Sequence, residues 1–315
     1  MEEYMAELDL TRINALIENS PIDAIRMAEI EYHARIGEIS RHITDNEKIK
    51  IVLLAGPSGS GKTTSANLLC DAIETQGEAA MVVSLDNFYR SCDDPEYPRL
   101  PNGEPDYECP EALKLDELTD SLIKIAKNEP YDIPRYDFKV GACVEIQHYP
   151  PINHGCVIIE GLHALNPKIV EKLPKDSLLK IFISVSTNIN HGGERILSGR
   201  KARFIRRMVR DSIYRAADAE KTLEMWDEVL AAEDVYLYPY KETADLAFNT
   251  FHLFELSVMK PFVERLISEE LAERNGYAHT VLSAIKQVAP LDYNLVPNNS
   301  LIREFIPGGI YEDLY

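Results

Sequence analysis

Eight residues, Gly56-Pro57-Ser58-Gly59-Ser60-Gly61-Lys62-Thr63, satisfy the pattern GxxxxGK[ST] in full. The chemistry they suit is the capture of a phosphate chain. Glycines allow backbone angles that turn several N–H groups toward one point. A helix starting near Lys62 would aim its positive dipole end at the same point. In such a cradle Gly56, Ser58, Gly59, Ser60 and Gly61 supply backbone. Lys62 reaches the β- and γ-phosphates, the Thr63 hydroxyl is placed to ligate Mg²⁺, and Thr64 can meet the α-phosphate. The expected ligand is therefore a nucleoside triphosphate with Mg²⁺. The run alone does not separate phosphoryl transfer from hydrolysis.

Two carboxylates extend the argument. Asp86 follows the apolar run Met81–Leu85, so it falls at the carboxyl end of a strand, where open α/β sheets bind ligands. It could accept the proton of an attacking hydroxyl, hold the metal, or simply cap a turn. Glu160 closes Val157-Ile158-Ile159 in the same way and could bind Mg²⁺ through water. Between Arg200 and Arg215 seven basic residues face one acid, Asp211. Arg203, Arg206, Arg207 and Arg210 are spaced i, i+3, i+4, i+7, on one helical face. That face reads either as a lid whose arginines stabilise a transferring phosphoryl group or as a solvated, acid-paired surface. His163 and Tyr89 lie near the same strand ends, each suited to lining a pocket or to packing.

The elements that must carry these residues follow from hydrophobic period. Short continuous apolar runs at 51–55, 81–85, 157–159, 181–185 and 244–248 predict strands buried on both faces. Helical stretches are predicted over 63–76, 111–127 and 200–231. Alternating strands and helices predict an α/β fold: a parallel sheet with helices on both faces. Residues 1–46 read as a helical amino-terminal extension, with Ser20 as N-cap and Pro21 at the first helical position. Residues 47–315 form the main unit. Its segment 86–150 holds a loop to residue 110 and a hairpin over 133–149, and 188–218 forms the lid.

Composition excludes other classes. Of 315 residues, 45% are apolar and 27% charged, an ordinary globular composition, with a net charge of −19. Such a field disfavours nucleic acid and anionic membranes. Five scattered cysteines lack CxxC spacing and fit a reducing cytosol, and no apolar run spans a bilayer. The expectation is a cytoplasmic protein acting on a small molecule.

Five signatures in order, GPSGSGKTT at 56–64, SLDNFYR at 84–90, PRYDF at 134–138, VIIEG at 157–161 and RFIRRMVRD at 203–211, resemble the uridine kinase and phosphoribulokinase family of P-loop kinases. A closer resemblance covers nearly the whole chain. EYHARI at 31–36, EGLHALNP at 160–167, YPYKETADLAFN at 238–249 and VPNNSLIREFIPGG at 296–309 are similar to the kinase portion of long bacterial nucleoside kinases with threonyl-tRNA-synthetase-like amino-terminal domains. The resemblance is to that kinase portion alone, with residues 1–46 expected as a helical preface in place of those domains.

The resemblance implies a nucleoside monophosphate kinase-like fold with a mobile lid. It also implies ATP-dependent phosphorylation of a ribonucleoside 5′-hydroxyl, uridine or cytidine first. Lys62, Asp86, Arg206 and Arg210 would be catalytic, with Asp86 the general base. Arg203 and Arg207 would hold ATP, and Thr63, Glu160 and Asp86 the metal. Tyr89, Glu108, Tyr136, Phe138 and His163 would hold the nucleoside, Glu108 at a position where uridine kinases grip the ribose with Asp. A homo-oligomer is a family-level expectation.

Two departures stand out. Gly141 occupies the position of a base-reading histidine, and Arg215-Ala216 replaces an Arg-Gly pair. They leave open a sugar or sugar phosphate as acceptor, or a regulator that binds ATP without turnover.

Overall fold

The structure, a computed structural model, describes residues 6–100 and 103–314. Its centre is a five-stranded parallel sheet of β2 (Ile51–Ala55), β3 (Ala79–Ser84), β6 (Gly155–Glu160), β7 (Leu178–Ser184) and β10 (Leu246–Asn249). In space the order is β10-β7-β2-β6-β3. Every residue of β2 is buried, as its unbroken apolar run predicts. Alternate side chains feed two cores: Val52, Leu54, Ile158 and Ile181 face one, and Ile51, Leu53, Val157 and Ile159 the other. Burying one such side chain contributes roughly 1.5–3 kcal/mol.

Register decides where the chemistry gathers. Leu54 of β2 and Ser84 of β3 both lie opposite Glu160 of β6. The three strands therefore end level, and the loops that follow them share one edge.

Helix α3 (Lys62–Thr75) leaves the P-loop and packs on the first core, beside α1 (Leu10–Asn19) and α2 (Pro21–Thr44). That core also takes α6 (Gly199–Tyr214), α7 (Ala219–Tyr236), α8 (Glu255–Leu266), α9 (Glu269–Arg274) and α10 (Gly276–Lys286). The opposite face carries α4 (Leu115–Ala126) and the short α5 (Pro167–Val170). The predicted hairpin forms as β4 (Tyr131–Asp137) and β5 (Ala142–Tyr149), antiparallel, with an irregularity at Arg135/Tyr136.

Two expected units are absorbed into this body. Residues 1–46 were expected as a helical preface. Of them, 1–5 lie outside the described residues, and Ala6–Asp9 form a strand, β1, paired parallel to β8 (Thr187–His191). Helix α2 places Ala24, Ile25, Ala28, Tyr32, Ile36, Ile39 and Ile43 in the main core at helical spacing. Tyr32 Oη lies 2.7 Å from Ser65 Oγ, which donates to Gly61 O at 2.6 Å. The extension thus braces the P-loop from behind. Pro21 does open α2 with Ser20 at the N-cap position, but the Ser20 side chain makes no capping bond; the preceding helix α1 is the one capped by a side chain, Asp9, which accepts from Arg12 N–H at 3.2 Å.

The lid segment is likewise packed. Strands β8 and β9 (Glu194–Leu197) join β1 in a small sheet. Helix α6 buries Phe204, Ile205, Met208 and Val209 completely. Sequence alone could not reveal that α7, α8 and α10 would enclose this arginine-rich helix.

Candidate active site

A cleft of about 250 Å³ opens at the carboxyl ends of β2, β3 and β6. Its walls bring together Ser58, Gly59, Lys62 and Thr63 of the P-loop, Asp86 and Tyr89 after β3, Glu108, and Glu160 and His163 at β6. Arg207 and Arg210 of α6 stand on the facing wall.

The P-loop has the backbone its glycines permit. Gly59 and Gly61 take φ of +72° and +88°, and a Cβ on Gly59 would stand 2.7 Å from Arg203 O. Lys62 Nζ donates to Pro57 O at 3.3 Å, folded back over the loop.

Burial sets the electrostatics. Asp86 is open to the cleft, yet the crowding walls dehydrate its carboxyl and raise it above the usual range, opposed by Lys62 and Arg215. Glu160, almost fully buried, is pushed up to about 7 by desolvation, with Lys62 opposing and Asp86 adding repulsion. Desolvation also raises Glu108, against the pull of Arg207. His163 is driven down to about 4 by burial, so its imidazole is neutral at pH 7. Desolvation lowers Arg207 and Arg215 as well. Asp211 lies 3.4 Å from Arg207, 2.8 Å from Arg210 and 3.6 Å from Arg215. One carboxylate thus serves three guanidiniums, and Glu304 also stands 4.0 Å from Arg210.

Thr63, Asp86 and Glu160 fit Mg²⁺. Two dehydrated carboxylates faced mainly by Lys62 lack positive charge, which a divalent cation would supply. Among the described residues no group of three or more His, Cys, Asp or Glu is built to hold a metal unaided.

Gly56, Ser60, Gly61 and Thr64 shape the P-loop without lining the cleft, and four further predicted residues, Arg203, Arg206, Tyr136 and Phe138, stand outside it. Arg203 and Arg206 point into the body of the protein. Arg203 makes a two-pronged pair with Glu233, both bonds 2.8 Å, and donates to Ser58 O at 2.8 Å. Arg206 pairs with Glu255 at 3.0 and 2.6 Å and donates to Gly59 O at 3.2 Å. Both arginines are at most 1% exposed. In this structure they hold the P-loop's shape from below, and neither is free to grip a phosphate. The sequence pattern is the same for a lid and for a buried brace, because helical spacing shows a shared face without showing what covers it. Tyr136 and Phe138 form a ring cluster with Tyr89 at the hairpin, with centroids 5.1–6.0 Å apart. Phe138 is 68% exposed. Gly141 sits in the hairpin turn at φ +73°, against Cys92.

Three cleft residues escaped sequence reasoning: Arg215, Glu233 and Glu304. Glu233 Oε1 accepts from Ser58 N–H at 2.8 Å. Glu304 Oε2 accepts from Thr64 N–H at 3.2 Å and Thr64 Oγ1 at 2.9 Å. The donors assigned above to an α-phosphate are therefore engaged by a carboxylate. No local signal marked Glu304, which lies 240 residues from its partner. Arg215 stood inside the basic run and could have been named from it.

The family model described as Phosphoribulokinase / Uridine kinase matches residues 51–256. A uridine kinase of Borrelia hermsii is 32% identical over 203 residues, covering 63% of this chain and 85% of its own length. That of Schizosaccharomyces pombe is 30% identical over 185 residues, 58% of this chain and 36% of its own. Uridine kinase-like protein 5 of Arabidopsis thaliana is 28% identical over 198 residues, 62% and 38%. The chain thus spans under two fifths of the fission-yeast and plant relatives. A solved D-glycerate 3-kinase of Cryptococcus neoformans aligns over 69% of this chain and 89% of its own at 16% identity, with a TM-score of 0.40, too distant to bear on substrate. No described helix is long and apolar enough to cross a membrane.

Proposed function

The chain belongs to the phosphoribulokinase / uridine kinase family, and from that premise we propose that it is an ATP-dependent kinase. The acceptor proposed first is the 5′-hydroxyl of a ribonucleoside, uridine or cytidine. The observation that carries the reading is the convergence of Lys62, Asp86 and Glu160 in one cleft at the sheet's carboxyl edge.

In the proposed step the acceptor oxygen attacks the γ-phosphorus. A new O–P bond forms, the bond from phosphorus to the β–γ bridging oxygen breaks, and ADP leaves. The acceptor proton passes to a carboxylate oxygen of Asp86, whose raised affinity for protons suits a general base. Lys62 and the P-loop N–H groups offset charge on the phosphates, and Arg207, Arg210 and Arg215 face it from the opposite wall. When bound, Mg²⁺ would neutralise phosphate charge beside Thr63, Asp86 and Glu160. Glu108 and neutral His163 offer hydrogen bonds to the acceptor's hydroxyls.

A sugar or sugar phosphate is the second reading. It is favoured by Gly141, which places a turn where a base-reading side chain would stand. The test is ADP production from Mg·ATP across ribonucleosides, deoxynucleosides, pentoses and sugar phosphates, with Asp86→Asn alongside. Turnover with uridine or cytidine that is lost in the variant supports the first reading. Turnover with a sugar alone supports the second. ATP binding without turnover on any acceptor would sink both.

A further inference from the structure

The carboxyl-terminal segment 296–309 has no part in the step above, yet it reaches the phosphate site. Leu301 packs on Gly61, so that a Cβ there would stand 2.8 Å from Leu301 Cδ1. Three residues on, the Glu304 carboxylate caps the first turn of α3, on the N–H and hydroxyl of Thr64. Glu304 is only 4% exposed. This turn is the positive end of the helix, where a P-loop protein seats phosphate oxygens.

We propose that Glu304 is a resident anion of the nucleotide site, which occupies the donors of Thr64 and so weakens the hold on a nucleotide's α-phosphate. The inference rests on the donor reading above and concerns the same cleft. A nucleotide and the Glu304 carboxylate cannot share those two donors. Their charges also repel across a site that excludes much of the water.

The segment does not swing as a flap. Leu301, Ile302, Phe305 and Ile306 are fully buried, and Arg303 donates to the carbonyls of Val296, Pro297 and Pro307. What can move is the side chain. Glu304 Oε1 already stands 4.0 Å from Arg210 Nη1, on a guanidinium that Asp211 holds through Nη2 at 2.8 Å, so a turn about the side-chain bonds carries the carboxylate from Thr64 toward that shared cation. The arriving α-phosphate takes Thr64, and Glu304 takes Arg210. The cost of that exchange falls on nucleotide affinity, which speeds release of ADP after transfer.

The test is the dissociation constant of ADP, by calorimetry, for the full chain and Glu304→Gln, with KM for ATP and for the acceptor where turnover is found. Glutamine keeps the shape and an acceptor oxygen but not the charge. The expected result is roughly tenfold tighter ADP binding and a lower KM for ATP, with the acceptor KM unmoved. A site that binds ADP only in the variant supports the proposal equally. Equal or weaker binding in a folded variant overturns it and leaves the donor reading standing. Binding by neither protein overturns both. Should Glu304→Gln melt early, Glu304→Asp keeps the charge and withdraws it from Thr64; a smaller tightening is then expected, and an unchanged constant counts against the proposal.

Discussion

Arg206→Ala separates a buried brace from a phosphate ligand. All five N–H donors of Arg206 are in use: Nε and Nη2 on Glu255, Nη1 on Gly59 O and Thr250 Oγ1, and Nη2 again on Thr250 O at 2.8 Å. Its guanidinium also lies 5.0 Å from the Phe305 ring centroid. Truncation leaves the Glu255 carboxylate, 0% exposed, without its counter-charge. Breaking one side of such a pair costs about 3–5 kcal/mol. With an unfolding entropy of about 2.1 cal/mol/K per residue, a chain of this length loses about 5–8 °C in Tm. Arg206→Lys keeps the charge but not the fork, and it should lose roughly half as much. Pairing Arg206→Met with Glu255→Leu removes both charges and should recover most of the loss, giving strong coupling in a double-mutant cycle. The assay is urea and thermal unfolding by circular dichroism, with KM for ATP measured on each folded protein. An Arg206→Ala protein that melts within about 1 °C of wild type yet loses turnover by orders of magnitude would refute the reasoning.

Three further outcomes follow from the same geometry. Asp86→Asn should lower kcat by about 10²–10⁴-fold while leaving Tm unchanged or slightly raised, because it removes a dehydrated charge; a Tm drop with retained turnover would remove Asp86 from the chemistry. Glu160 holds its proton to about pH 7 in the folded protein, above its ordinary value of 4.5. The unfolded chain therefore releases that proton first, and stability of the nucleotide-free protein falls as pH rises from about 4.5 to 7, by at most about 3 kcal/mol from this group. Glu160→Gln should flatten that slope, and kcat/KM for Mg·ATP should fall as pH drops through about 7 in the wild type; a slope that survives the substitution assigns it elsewhere. Ala216 takes φ of +51°, a left-handed angle that strains a side chain. Ala216→Gly should stabilise by about 0.5–1 kcal/mol in urea unfolding, and a loss of stability would show the angle is not strained.

The parallel sheet, the P-loop and the two strand-end carboxylates were legible in the sequence because each rests on local rules. An unbroken apolar run has to be buried on both faces. A glycine-rich turn between such a run and a helix has few uses other than an anion. A carboxylate at the end of a parallel strand lies at the edge where sheets bind. The hairpin was legible over 133–149 for the same reason, as alternation and a turn lie side by side in the chain; its first strand begins two residues earlier, at Tyr131.

The fate of α6 was not legible, because the residues that decide it, Glu233 and Glu255, sit outside the basic run and become its partners only through packing. The strand β1 was missed since its partner β8 is supplied by residues 187–190, far along the chain. Ala216 shows both sides. The pair Arg215-Ala216 departs from Arg-Gly in sequence, yet the backbone keeps the left-handed turn a glycine would favour. By itself the sequence determined the chemistry that could be done, since residue type and short spacing set which groups can hold phosphate or move a proton. Tertiary structure alone decided which of those groups face the cleft. It buried Arg203 and Arg206, admitted Arg215, and carried Glu304 to Thr64, since long-range contacts are set by the whole core and leave no trace in the spacing of any one segment.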